Sequence, residues 1–183
     1  VQALLKMAEM EKIVDVRLHL FADGKDTPPQ TAEKFLSELP KDKLATLCGR
    51  YYAMDRNGAW RLTQTAYDNL TTATGGQLTT DPGAAFQGLY ARGLTEEYLP
   101  PLRFGEDKFI KDNDSIIFFN YREDSARQLA ESFITKGFKQ FPAKIFQNLY
   151  IATMTHYRDD FNVPVAFPAD NVEKPLGQII SEA

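Results

Sequence analysis

The chain of 183 residues is 43% hydrophobic and 25% charged, with a formal net charge of −4 at neutral pH. Those proportions suit a folded globular domain and exclude a disordered segment, and the length fits one domain, 1–183, with a sizeable core. The acidic balance leaves no electrostatic footprint for nucleic acid or an anionic membrane, and no apolar run approaches the ~20 residues of a membrane-spanning helix.

The single cysteine, Cys48, excludes an internal disulfide and fits a reducing, cytoplasmic setting. It lies in the apolar run Leu44-Ala45-Thr46-Leu47-Cys48 and reads as a small core residue. No basic-then-apolar signal segment opens the chain. It starts at Val1 and stops at Glu182-Ala183 while a helical pattern is still running, which suggests a piece excised from a longer protein.

The elements alternate between helix and strand. Leu4, Leu5 and Ala8 share one face of a helix near 3–12. Ile13 to Ala22 is predicted as a strand, with Val14, Val16, Leu18 and Leu20 alternating against Arg17 and His19. A turn over Asp23 to Pro29 precedes a helix whose stripe is Ala32, Phe35, Leu36 and Leu39, ending before Pro40. Leu44 to Cys48 is the second strand, and a crossover of one helix between the two suits a right-handed parallel βαβ unit. Helices follow at Ala59 to Leu70 and at Pro82 to Arg92, the second with Asp81 as N-cap, separated by a polar loop from Thr71 to Asp81. Glu96 to Lys111 reads as irregular. Ser115 to Phe119 has the continuous apolar character of a central strand. Asp124 or Ser125 would cap a helix with Ala126, Leu129, Ala130, Phe133 and Ile134 inward. Leu149 to Met154 is a further strand, Pro164 to Phe167 a short one, and Val172 to Ile180 opens a last helix. The order predicts a three-layer α/β/α sandwich with a mostly parallel central sheet.

In such folds ligands bind beyond the carboxyl ends of the strands. Those ends carry Asp23, Lys25 and Asp26, then Arg50, Asp55 and Arg56, then Asn120, Arg122, Glu123 and Asp124, then Thr155, His156 and Arg158. A net-acidic chain thus gathers several cations at one predicted edge, and an arginine fork is suited to gripping carboxylate or phosphate. Each residue also has a plainer role. Arg122 could pair with Glu123 or Asp124, and Asp124 could be a helix cap. Asp26 could be a general acid/base or could close an Asx turn. Asp23-Gly24 is turn chemistry, His19 reads as a packed, hydrogen-bonded histidine, His156 faces the same edge with its role open, and Trp60 and Tyr67 read as core. There is no glycine-rich phosphate loop, no G-x-S-x-G elbow and no His/carboxylate spacing suited to a metal. The chain is not equipped to do covalent chemistry alone and reads as the substrate-gripping half of a larger whole.

The motifs resemble a known family. His19-Leu20-Phe21-Ala22-Asp23-Gly24-Lys25-Asp26-Thr27-Pro28-Pro29 is similar to the H-x-F-x-D-G-R-D-x-x-P segment of cofactor-independent (2,3-bisphosphoglycerate-independent) phosphoglycerate mutases. Gly49 to Arg56 matches their G-R-Y-Y-x-M-D-R. Phe118 to Ser125 resembles F-F-N-F-R-x-D-R, and the likeness continues from Leu149 to Phe167. The resemblance implies the inserted phosphotransferase domain alone. The alkaline-phosphatase-like domain of the same parent, with its two Mn²⁺ ions and serine nucleophile, would lie outside this chain, which itself would bind no metal. The family interconverts 3-phosphoglycerate and 2-phosphoglycerate, a step of glycolysis, through a phosphoserine. By resemblance the substrate-binding residues are Lys25, Asp26, Arg50, Arg56, Arg122, Glu123, Asp124 and Ser125, with Asp26 catalytic, in a monomer whose isolated domain is inactive. Lys25 and Ser125 stand where the family has arginines. Lys25 keeps the charge without the fork, and Ser125 removes a charge outright. Losing one charge-assisted contact costs about 1.5–3 kcal/mol, roughly ten- to a hundredfold in affinity.

Overall fold

Strand β2 (Leu44–Gly49) is buried along its whole length, and the fold is arranged around it. In a computed structural model that describes residues 1–168 and 174–182, β2 lies parallel to β1 (Leu18–Ala22) on one side. On the other side it is antiparallel to β4 (Leu102–Arg103), which in turn pairs in parallel with β3 (Gln77–Leu78). Strands β5 (Ser115–Phe118) and β6 (Tyr150–Thr153) form a second, parallel pair, and Val165 adds a single parallel bridge to Thr153. The pairing is therefore mostly parallel.

Successive residues of a strand point to opposite faces, and β2 shows it: Leu47 joins one buried cluster and Cys48 the other. The Leu47 cluster takes Leu36 from helix α2 (Ala32–Ser37) and Phe86 and Leu89 from α5 (Gly83–Tyr90). The Cys48 cluster takes Ala66, Tyr67 and Leu70 from α4 (Trp60–Thr71) and Ala126, Leu129 and Ala130 from α6 (Glu123–Ile134). Helices thus cover both faces, giving the three-layer α/β/α arrangement. Tyr67 is core, as expected, and Trp60 packs against it at the margin.

Several sequence expectations need correction. Helix α1 (Gln2–Met10) is followed by an irregular stretch, and β1 starts at Leu18 rather than Ile13. Ile13 and Val14 are exposed. The reason is register: Leu18 faces Leu44, and before Leu44 the chain is a 3-10 turn at Lys41–Lys43, so residues 13–17 find no β2 partner. Beyond β2 the chain opens directly into a helical turn, α3 (Arg50–Ala53), which the sequence reading did not include. The stretch 96–111 contains a 3-10 turn at Glu96–Tyr98 and strand β4. β5 belongs to the two-stranded sheet and exposes Ile117, so it is not the central strand. Pro164 to Phe167 contributes only the bridge at Val165. Pro82, not Asp81, is the N-cap of α5, although Asp81 still accepts the Gly83 N–H at 2.9 Å. Helix α7 spans Leu176–Glu182, and the start expected at Val172 lies outside the described residues.

Candidate anion-binding site

The residues that follow β1, β2 and β5 meet in one chain of alternating charge. Asp23 pairs with Arg50, Arg50 with Asp26 at 2.9 Å, and Asp26 with Arg122. Arg122 approaches Asp124 at 3.8 Å, and Asp124 pairs with Arg56. Local structure aims these side chains. Gly49 places Arg50 in the first turn of α3: a Cβ at residue 49 would lie 2.0 Å from the Glu97 carbonyl oxygen, so only glycine lets the backbone approach so closely. Asp23 accepts the N–H groups of Asp26 and Thr27 at 3.2 and 2.7 Å, an Asx-type closure that turns Asp26 toward the arginines. Gln128 on α6 donates to Asp55 at 2.8 Å and accepts the Gly58 N–H at 3.1 Å, tying the stretch that carries Arg56 to the helix that carries Asp124.

Electrostatics follow from the pairing. Hydrogen bonds from Arg50 and then Arg122 hold the Asp26 carboxyl below its usual value. Partial burial would raise Asp23, but the bond from Arg50 and its two backbone N–H donors bring it below the usual value. Burial would raise Asp124 too, but hydrogen bonds from Arg56 and the Ser125 hydroxyl together bring it below its usual value. Each arginine uses Nη1 for these hydrogen bonds, and among the described residues its other guanidinium N–H groups carry no protein hydrogen bond. A guanidinium has five donors. The aspartates thus orient three forks without exhausting them, and the edge can grip a small polyanion.

Residues 1–159 match the family model described as the BPG-independent PGAM N-terminus. The chain belongs to that family. It is 40% identical, over its full length, to the 2,3-bisphosphoglycerate-independent phosphoglycerate mutase 1 of Methanosarcina barkeri, covering 38% of that protein. It is 38% identical over 98% of its length to the corresponding mutase of Legionella pneumophila, covering 36% of it. The chain therefore spans little more than a third of the curated relatives it matches. In fold it is similar to the crystal structure of Leishmania mexicana phosphoglycerate mutase, with a TM-score of 0.74 over 90% of this chain and 34% of the other, at 19% identity.

The structure sorts the eight expected family site residues into two groups. Asp26, Arg50, Arg56, Arg122 and Asp124 are joined in the charge chain, and Ser125 touches it by donating to Asp124 at 3.1 Å. Lys25 instead lies 3.7 Å from Glu97, and Glu123 faces Arg127 at 3.4 Å. Arg122 therefore takes Asp26 and Asp124 as partners, not Glu123. Asp124 is an ion-pair partner rather than the helix cap, since α6 begins at Glu123 with Arg122 at the N-cap. Ser125 is buried at 1% exposure. Neither arginine nearby in the chain replaces the missing charge: Arg127 donates to the Tyr157 carbonyl at 2.6 Å, and Arg158 is bound by Glu131 and Asp160. His156 sits 3.5 Å from Asp159, and the Nδ1 of His19 is 2.8 Å from the Thr46 hydroxyl. Sequence reasoning assigned Asp23 to the turn alone and missed its second bond, to Arg50. It passed over Gln128, whose polar side chain on the inner face of α6 was the available signal.

Proposed function

We propose that this chain is the substrate-gripping, phosphotransferase domain of a cofactor-independent phosphoglycerate mutase that interconverts 3-phosphoglycerate and 2-phosphoglycerate. The observation that carries the reading is the alternating chain from Asp23 to Arg56 at the strand ends of a member of this family. Arg50 and Arg56 clamp anionic ends of the glycerate through their unused donors, and Arg122 holds phosphate or carboxylate charge. Asp26, ionised between two guanidiniums, accepts a hydrogen bond from the reacting hydroxyl. As the substrate's oxygens compete for Arg50 and Arg122, their hold on Asp26 weakens and its basicity rises toward what proton transfer requires. Among the described residues no group of three or more His, Cys, Asp or Glu side chains could hold a metal ion. We assign the family's two Mn²⁺ ions, with the phosphoserine, to the phosphatase-like domain of a longer, monomeric, cytoplasmic protein. On this reading the isolated domain binds substrate without turning it over. Among the described residues no helix is long and apolar enough to cross a membrane.

The test is turnover of 3-phosphoglycerate by the full-length protein, with Mn²⁺ and without 2,3-bisphosphoglycerate. Alanine at Arg50 or Arg122 is expected to lower kcat/KM by at least ten- to a hundredfold, the worth of a lost charge-assisted contact. Mn²⁺-dependent hydrolysis of other phosphoesters without mutase turnover would overturn the reading. The buried Ser125, unreplaced by Arg127 or Arg158, favours a second reading: an anion-binding domain that has lost turnover. Under it the wild type is inactive and the Lys25→Arg/Ser125→Arg double variant gains activity. An efficient wild-type enzyme excludes it.

A further inference from the structure

Glu96 lies in the 3-10 turn before β4 and is completely buried, at 0% exposure, far in sequence from every site residue. A carboxylate is costly to bury unless its oxygens are satisfied, and here they are. One oxygen accepts the Gln30 N–H at 2.9 Å, and the other accepts those of Thr31 at 2.9 Å and Ala32 at 3.1 Å. These backbone bonds outweigh burial and keep the carboxyl below its usual value, while burial first and the Glu96 charge second push the neighbouring Tyr90 phenol up to about 12. Gln30 has a left-handed backbone, φ 64°, that a non-glycine residue adopts only when its surroundings impose it. Gly24, φ 67°, rests on the same carboxyl group: a Cβ there would lie 2.9 Å from Glu96 Cγ. Glu96 therefore holds one end of the loop that presents Asp26 by hydrogen bonds and packs closely against the other.

The same short turn also holds the other half of the site. The Glu97 carboxylate lies near Lys25, its carbonyl oxygen packs where Gly49 lacks a side chain, and the Gly49 N–H donates to the Leu99 carbonyl at 2.8 Å. Residues 96–99 thus contact the loop that bears Asp26 and the residue that precedes Arg50. We propose that Glu96 is a positioning residue for the phosphoglycerate site, setting the 24–32 loop so that Asp26 meets Arg50 and Arg122. The inference rests on the functional reading above, but its geometry can be tested without substrate.

The experiment uses full-length protein with ¹³C-labelled aspartate and the variant Glu96→Gln, which keeps the volume but places an amide donor against a backbone N–H. In the wild type the Asp26 carboxyl, hydrogen-bonded by Arg50 and Arg122, is expected to titrate below the usual aspartate range. In E96Q its midpoint is expected to move up toward that range, with unfolding still cooperative and KM for 3-phosphoglycerate raised about tenfold, more than kcat falls. Glu96→Asp, which keeps the charge one methylene short, is expected to give a smaller shift in the same direction, and serves if E96Q does not fold. An unchanged Asp26 midpoint in a folded variant overturns the proposal. Absence of mutase turnover in the wild type would instead fell the functional reading, and the Asp26 titration would still decide the role of Glu96.

Discussion

Arg50 is the most enclosed of the three site arginines, with its side chain 11% exposed against 43% for Arg122 and 52% for Arg56. It also contacts two carboxylates at once, Asp23 and Asp26, where a lysine ammonium could act only as a point charge. Arg50→Lys is therefore expected to weaken 3-phosphoglycerate binding by about tenfold or more, and Arg56→Lys by less, as read by calorimetric titration. A second residue-scale expectation concerns acid stability. Burial and the nearby Arg17 charge press the His19 pKa down from 6.5 to about 4. Between those values the unfolded chain binds a proton that the folded chain refuses, so stability falls as pH drops from about 6.5 to about 4 and is flat in this term above 6.5. Urea unfolding at pH 7, 5.5 and 4 checks it: His19→Gln should flatten that limb, and an equally steep fall in the variant would assign the loss elsewhere.

At the scale of elements, the site depends on close backbone approaches. The 2.0 Å between a Cβ at residue 49 and the Glu97 carbonyl oxygen cannot be relieved by a rotamer change, because both partners are backbone. Gly49→Ala should therefore destabilise the fold by about 1–3 kcal/mol, measured as a lower urea midpoint at unchanged m-value, and displace Arg50. A variant as stable as the wild type would show that the turn at 96–98 can move away. The long amphipathic helices were legible in the sequence, since α4 and α6 carry a stripe of helical period that needs only one apolar neighbour. The two-residue strands β3 and β4 were not legible. Two residues hold no period, and their partners lie far away in the chain. The same holds for the false start of β1 at Ile13: apolar alternation marks strand potential, but a ladder also requires a partner, and β2 begins only at Leu44.

At the scale of the molecule, the two buried clusters on opposite faces of the sheet leave its strand ends open, and there the forks of Arg56 and Arg122 stand half-exposed beside the more enclosed Arg50. On the function proposed above, a grip of this kind would leave glycerate open to water on one side, so a water-excluding reaction would need a second body to close over it. Small-angle scattering of the full-length protein is expected to show a smaller radius of gyration with 3-phosphoglycerate than without it; an unchanged radius would argue for a permanently closed enzyme. Binding should also weaken steeply with salt, because Arg56 and Arg122 are solvent-exposed and screened.

By itself the sequence determined the α/β order, the helices on either side of β2, the family, and the residue types gathered at the strand ends. Those depend on local periodicity, turn chemistry and short motifs, each carried within a few neighbouring residues. Only the tertiary structure decided which charges meet. Asp26 pairs with Arg122 across 96 residues of chain, Asp124 chooses Arg56 over a helix cap, and Lys25 and Glu123 leave the charge chain for Glu97 and Arg127. It also decided that Glu96, a residue of apparently irregular sequence, is buried beneath the Asp26 loop. The physical reason is common to all of these: an ion pair or a buried carboxylate is fixed by distance and desolvation in space, and neither is encoded in the spacing of residues along the chain.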